Sequence, residues 1–183
     1  IALVQNATIA WTGAFGVTNV ATNAPVTDAS VFEAASLTKP VFAYAVLKLV
    51  DAGKLDLDRP LTTYLPGGYD VRDDARLGQI TARHVLSHAS GFPNWRGGQG
   101  LRIYFTPGER FSYSGEGYFY LQRVVEKITG KSLEENAKEL LFQPSGLNHS
   151  SFIWFDKIDS LISCGHETSG NFLAKSKYLH PNS

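Results

Sequence analysis

A mixed α/β fold of the α+β kind, with an antiparallel sheet flanked by helices and a mainly helical region beside it, is predicted by three features of this 183-residue sequence. Residues 1–20 alternate imperfectly between apolar and polar side chains, the period of a half-buried strand. From Thr38 to Asp51 the pattern changes to that of an apolar helix. Between Tyr118 and Phe142 two more helical patterns carry clear start and stop signals.

In chain order, residues 1–5 and 8–12 are β-rich runs on either side of Asn6-Ala7 and read as a β-hairpin. Gly13 and Gly16 punctuate a further strand ending near Val20, and the polar residues 21–29 read as a loop. The helix from Thr38 has apolar side chains around nearly its whole circumference, which predicts that it is buried. Pro40 is tolerated in its first turn, where the missing N–H has no intrahelical partner. Gly53 suits the residue just past its C-terminus, and Pro60 keeps the preceding residues extended.

Pro66-Gly67-Gly68 and the charged residues 70–76 read as surface loop. Thr81 is the expected N-cap of a short helix, 82–88, which Ser90-Gly91-Phe92-Pro93 stops. Residues 94–108 hold four glycines and read as a long ordered loop, whose aromatics Trp95, Tyr104 and Phe105 suit either a cleft wall or core packing. A helix is predicted over 118–129, ended by Gly130. Ser132 and Glu135 form a capping box for another that runs to about Phe142 before Pro144. Past Ser150 the recognisable piece is the β-rich run 151–155. The chain is thus read as one incomplete domain: the N-terminal hairpin and apolar helix in 1–55, a mainly helical region in 56–147, and an unassigned 148–183.

Composition narrows the function classes. Apolar residues make up 43% and charged residues 19%, with 17 basic against 17 acidic side chains, so no net field favours nucleic acid or an anionic surface. A small-molecule partner fits better. No stretch approaches the roughly 20 apolar residues of a membrane-spanning helix. The single cysteine, Cys164, excludes an internal disulfide and reads as a small buried hydrophobe. The sequence leaves the compartment and the oligomeric state open.

The chemistry centres on Ser36 and Lys39, three residues apart where the apolar helix begins. With 15 serines and nine lysines in the chain, that spacing is expected by chance roughly 0.7 times, so context has to carry the assignment. A lysine in a dry site loses its preference for the ammonium form and can take the serine proton, while a helix N-terminus favours the developing anion. The competing reading is a helix-capping serine beside a solvated lysine. Tyr113, in the glycine-bracketed run Phe111-Ser-Tyr-Ser-Gly-Glu-Gly117, is placed to relay a proton from a loop.

Other constellations are weaker. His84 and His88 are four apart, as helical metal ligands are, yet no glutamate stands in the zinc-protease position and no third ligand is evident, so packing or capping roles fit better. Glu109 and Glu116 flank Tyr113 and read as solvated carboxylates without a role. No serine occupies a Gly-x-Ser-x-Gly turn.

The ordered set Ser36-Leu-Thr-Lys39, Leu55-Asp-Leu-Asp58 with Pro60-Leu61 and Tyr64-Leu-Pro66, Ile80-Thr81 with His84-Val-Leu-Ser-His-Ala-Ser-Gly91, Pro107-Gly108 with Phe111-Ser-Tyr-Ser114, and Pro144-Ser-Gly-Leu147 resembles the serine β-lactamase and penicillin-binding-protein superfamily. Within it the match is to the class C β-lactamase and related esterase branch. The resemblance covers the chain from Ile1 to about His166 and implies a β-lactamase/DD-peptidase-like fold with a sheet completed by C-terminal strands. It implies Ser36 as acylated nucleophile, Lys39 as its base and Tyr113 as the tyrosine of a Tyr-x-Asn motif, with Gly115 at the asparagine position. Because that amide helps hold a substrate amide in the family, the change to Gly115 tilts the expectation toward esters. The family's third motif, Lys or His followed by Thr or Ser and Gly, is not found after Tyr113. With a start inside a strand, this reads as a fragment of a longer protein.

The expected function is a serine hydrolase forming a Ser36 acyl-enzyme on an ester or amide carbonyl, esterase-like or β-lactamase-like, with no cofactor, metal or nucleic acid involved. Its partner would be a small-molecule ester, β-lactam or peptide substrate. The alternatives are a non-catalytic binding protein on the same scaffold, or a DD-peptidase. A periplasmic or secreted location is what the resemblance implies.

Overall fold

The computed structural model describes residues 1–98, 100–154 and 156–173. They fall into two compact units, one made of Ile1–Ser36 with 149–173 and the other of Leu37–Asn148.

The first unit opens with the expected hairpin, β1 (Ala2–Gln5) against β2 (Thr8–Thr12), antiparallel with Leu3 opposite Trp11 and a bulge between Leu3 and Val4. Asn6 and Ala7 both take positive φ, 50° and 58°, the two-residue turn whose twist matches that of the strands. Every residue of both strands is exposed, including Val4 and Ile9. β3 (Val17–Asn19) pairs antiparallel with β4 (Ala24–Pro25) in a second two-stranded sheet. The loop predicted over 21–29 therefore contains a short strand: the turn closes through Asn23, at φ 53°, whose N–H donates to the Asn19 carbonyl. Residues from the C-terminal part join this unit. Val31 bridges Ile162, and the Cys164 N–H donates to the Thr18 carbonyl.

Cys164 is buried, as expected, with the Asn19 amide 3.6 Å from its sulfur. The β-rich run 151–155, left unassigned by the sequence, forms no strand at residues 151–154, and Phe155 lies outside the described residues. Without a pairing strand its β-branched and aromatic composition has nothing to hydrogen-bond across.

The second unit is helical. α1 (Thr38–Asp51) has the predicted limits and ends in a Schellman turn: Gly53, at φ 67°, donates to the Val50 carbonyl while Lys54 donates to that of Leu49. The all-round burial expected of α1 is not seen. Phe42, Ala45, Val46 and Leu49 form the buried i, i+3, i+4, i+7 stripe, whereas Tyr44 and Leu47 are exposed. That stripe packs with Leu55, Leu61, Ile80, Val85, Phe92, Tyr120, Leu121, Val124 and Val125 in the unit's core.

α2 (Ala82–Leu86) starts at the predicted cap, with the Thr81 hydroxyl accepting from the His84 N–H and His84 Nδ1 accepting from the Thr81 N–H. It stops before the predicted end because His88 turns to φ 55°. Residues 94–98 and 100–108 are irregular, as expected, and are anchored by buried Leu101, Ile103 and Phe105, while Tyr104 is exposed. α3 (Gly115–Thr129) begins three residues earlier than predicted, and α4 (Leu133–Ala137) carries the Ser132–Glu135 capping box before a π-helical turn, Lys138–Phe142. A short helical turn, α5 (Asp156–Asp159), lies in the first unit.

Candidate active site

Ser36 sits in a 3₁₀ turn, Ala35–Leu37, from which the chain runs directly into α1. Ala35 holds φ at 43°, an uncommon conformation for a residue with a Cβ, and Ser36 is exposed. The N-cap position of α1 belongs to Leu37, not to Ser36. Ser36 ends the N-terminal segment of the first unit, and Lys39, the second residue of α1, belongs to the other.

Within the second unit Lys39 and Tyr113 come together. Lys39 Nζ lies 4.9 Å from the centroid of the Tyr113 ring and 5.7 Å from that of Tyr118, within range of a cation–π contact. Lys39 is half-buried, and Tyr113 is 38% exposed, so the phenol borders solvent. Burial, and then the neighbouring Tyr113, push the Tyr118 phenol above its ordinary value. The His88 ring packs on the same two tyrosines, its centroid 4.4 Å from that of Tyr113 and 5.2 Å from that of Tyr118. His88 is thus packed and His84 capping, the roles the sequence favoured; among the described residues no His, Cys, Asp and Glu side chains gather as a metal site.

The loop bearing Tyr113 is fixed from its C-terminal side by the start of α3. Ser114 is the N-cap: its hydroxyl accepts from the Gly117 N–H at 2.9 Å and donates to the Pro93 carbonyl at 2.9 Å. The glycines that suggested a loop lie in the first turn of α3, where close neighbours leave no room for a side chain. A Cβ on Gly115 would lie 2.8 Å from the Asn94 carbonyl oxygen and 2.9 Å from the Trp95 ring, and one on Gly117 would lie 3.0 Å from Ser90 Oγ. The Gly115 N–H donates to both the carbonyl and the Oδ1 of Asn94. At Gly115, then, the exposed Trp95 indole stands against a bare backbone.

Glu116, which the sequence left without a role, is 3% exposed and accepts from the Arg96 N–H, from Arg96 Nε and terminal nitrogen, and from the Tyr69 hydroxyl, at 2.8–3.0 Å. Burial works to raise its pKa, but the donors of Arg96 and Tyr69 outweigh it and leave the carboxyl below its ordinary value. The Tyr69 phenol is pushed up, first by burial and then by Glu116. Arg96 also reaches Asp70 at 2.6 Å and lies over the Tyr69 ring. One charged cluster thereby ties the 94–96 segment to the first turn of α3. The available signal was Ser114 as a cap with an acidic residue in the turn after it, hidden by reading Gly115 and Gly117 as loop.

The β-lactamase family model matches residues 1–161. The chain belongs to the β-lactamase family. Among relatives of this β-lactamase-family chain, penicillin-binding protein 4 of Amycolatopsis lactamdurans is 35% identical over 84% of this chain and 44% of its own length. Esterase EstB of Burkholderia gladioli is 31% identical over 70% of this chain and 40% of its own. The octameric penicillin-binding protein homologue from Pyrococcus abyssi superposes with a TM-score of 0.74 at 26% identity, covering 93% of this chain and 44% of that one. The hydrolase EstCE1, at 20% identity and TM-score 0.76, shares the fold. The chain spans 34% to 44% of the length of the first curated relatives it matches.

Proposed function

We propose that this chain is part of a single serine-hydrolase domain that works through an acyl-enzyme on Ser36. The observation that carries the reading is the approach of Lys39 Nζ to the Tyr113 ring, 4.9 Å from its centroid, at residues contributed by two separate motifs of the β-lactamase family. In this mechanism Ser36 Oγ attacks an ester or amide carbonyl while Lys39 and Tyr113 take its proton and pass it to the leaving group; water then attacks the acyl-enzyme, and the same groups take a proton from that water and deliver it to Ser36 Oγ as the acyl bond breaks. Proton traffic closes on side chains and water.

Esters are the favoured substrates. The position that carries an amide in the family is Gly115, which has no side chain to hold a substrate amide, and the Asn94 carbonyl and the Trp95 ring, 2.8–2.9 Å from where its Cβ would stand, leave no room for one. The likeness to an esterase and to a penicillin-binding protein supports both ester and β-lactam arms of the test.

The test is mass spectrometry of the full-length protein after incubation with a fluorophosphonate, followed by turnover of nitrophenyl esters against a chromogenic cephalosporin. An adduct on the peptide containing Ser36, lost in Ser36→Ala, is expected, together with faster ester turnover. No adduct would leave a non-catalytic binding protein as the reading, and cephalosporin turnover exceeding that of esters would favour a lactamase or peptidase.

A further inference from the structure

We propose that His88 is a positioning residue for Tyr113: as a neutral ring it holds the Tyr113–Ser114 turn against Lys39, and its protonation releases that turn. This rests on the acyl-transfer reading of Tyr113 and Lys39.

Three hydrogen bonds join residues 88–89 to the segment that carries Tyr113. The Gly108 N–H donates to the Ala89 carbonyl and the Ser112 N–H to the His88 carbonyl, both at 2.8 Å. The Ser114 N–H donates to His88 Nδ1 at 3.1 Å. The first two are backbone bonds indifferent to pH. The third uses the lone pair of Nδ1, so the ring must be neutral with its proton on Nε2. The second and third end on the residues either side of Tyr113, Ser112 and Ser114, and the third alone can be switched off by a proton.

The ring also supplies the surface on which Tyr113 rests, 4.4 Å away between centroids at 31°, with Phe111 edge-on at 5.7 Å and Tyr118 at 5.2 Å. Lys39 approaches the same two tyrosines from α1. The groups facing His88 are therefore Lys39, Tyr113 and Tyr118. Burial, and then the Lys39 charge, hold the imidazole below its ordinary value. A proton taken up by Nδ1 from solvent would both remove the acceptor for the Ser114 N–H and set a second cation beside Lys39.

The experiment compares the full-length protein with His88→Asn and His88→Ala. Asparagine places Oδ1 where Nδ1 stands, tolerates the positive φ of this position, and does not titrate. Nitrogen-15 spectra of the wild type should show the Nε2–H tautomer at neutral pH, with the Ser114 amide resonance following the imidazole titration. His88→Ala should lower kcat for a nitrophenyl ester at least about tenfold with KM within about threefold, and His88→Asn should recover most of kcat while losing the acid limb of the pH profile. An Nδ1–H tautomer, a Ser114 amide indifferent to the titration, wild-type kcat in His88→Ala, or an acid limb that survives in His88→Asn would overturn the proposal. If Ser36 is never acylated, the hydrolase reading fails, while the tautomer and the Ser114 amide still decide whether His88 holds this turn.

Discussion

Replacing Arg96 by alanine removes more from the second unit than its place on an irregular segment suggests. The side chain donates twice to Glu116 and once each to Asp70 and Tyr69. After the change the 3%-exposed Glu116 carboxylate keeps the backbone N–H of residue 96 and the Tyr69 hydroxyl, and loses its counter-charge. Breaking a buried pair from one side costs about 3–5 kcal/mol, but the Arg96 side chain is itself 36% exposed, so solvent screening puts the expectation at about 2–3 kcal/mol. Glu116→Gln, which keeps shape and acceptor, should cost about 1–2 kcal/mol, and the double mutant less than the sum by at least about 1 kcal/mol. Urea denaturation of the full-length protein followed by the fluorescence of its tryptophans measures this. The pH dependence adds a sign. Glu116 is held below its ordinary value in the folded protein, so its contribution is complete above the unfolded carboxyl pKa of about 4.3 and is lost as pH falls through the lowered folded value. The gap between wild type and Arg96→Ala should therefore narrow on acidification. A loss under about 1 kcal/mol at pH 7, or strict additivity with Glu116→Gln, would refute the reasoning.

Further outcomes follow from single contacts. Gly115→Ala should destabilise by about 1–3 kcal/mol, and Trp95→Ala should not relieve it, because the Asn94 carbonyl remains 2.8 Å from the new methyl; differential scanning calorimetry distinguishes the cases. The Gly115→Asn change should for the same reason lower the yield of folded protein instead of improving cephalosporin turnover. Tyr120→Phe should change stability by less than about 1 kcal/mol in either direction, since the buried hydroxyl has no hydrogen-bond partner among the described residues; a larger loss in a urea titration would contradict this. Gly53→Ala should cost about 1 kcal/mol because the residue sits at φ 67° in the Schellman turn of α1.

Local signals were the most legible part of the sequence. The hairpin turn at Asn6-Ala7, the limits of α1, the Thr81 cap and the Ser132–Glu135 box depend on residues within one or two turns of one another, and each is found in place. What failed depended on partners distant in sequence. Gly115 and Gly117 are glycines because Asn94, Trp95 and Ser90 leave no room for a side chain there, so in the sequence they read as loop signals inside what is the first turn of α3. The solvated reading of Glu116 failed for the same reason, its partners being Tyr69 and Arg96. At the candidate site Lys39 and Tyr113 could be named from the order of the motifs, whereas the packing of His88 between Tyr113 and Tyr118 is a three-dimensional fact. α1 shows the limit of composition: its apolar circumference says that it prefers burial, but the core of the second unit covers one stripe of it.

The hairpin β1–β2 has a practical consequence. Its strands pair with each other alone among the described residues, while Leu3, Val4, Ile9 and Trp11 all face water. Among the described residues both outer edges are unpaired beside apolar side chains, a template onto which the same ribbon of another molecule can add. Expressed at this length, the protein concentrates its aggregation hazard in residues 1–12, and a lysine in place of Leu3 or Ile9 should keep it dispersed without touching Lys39, Tyr113 or His88.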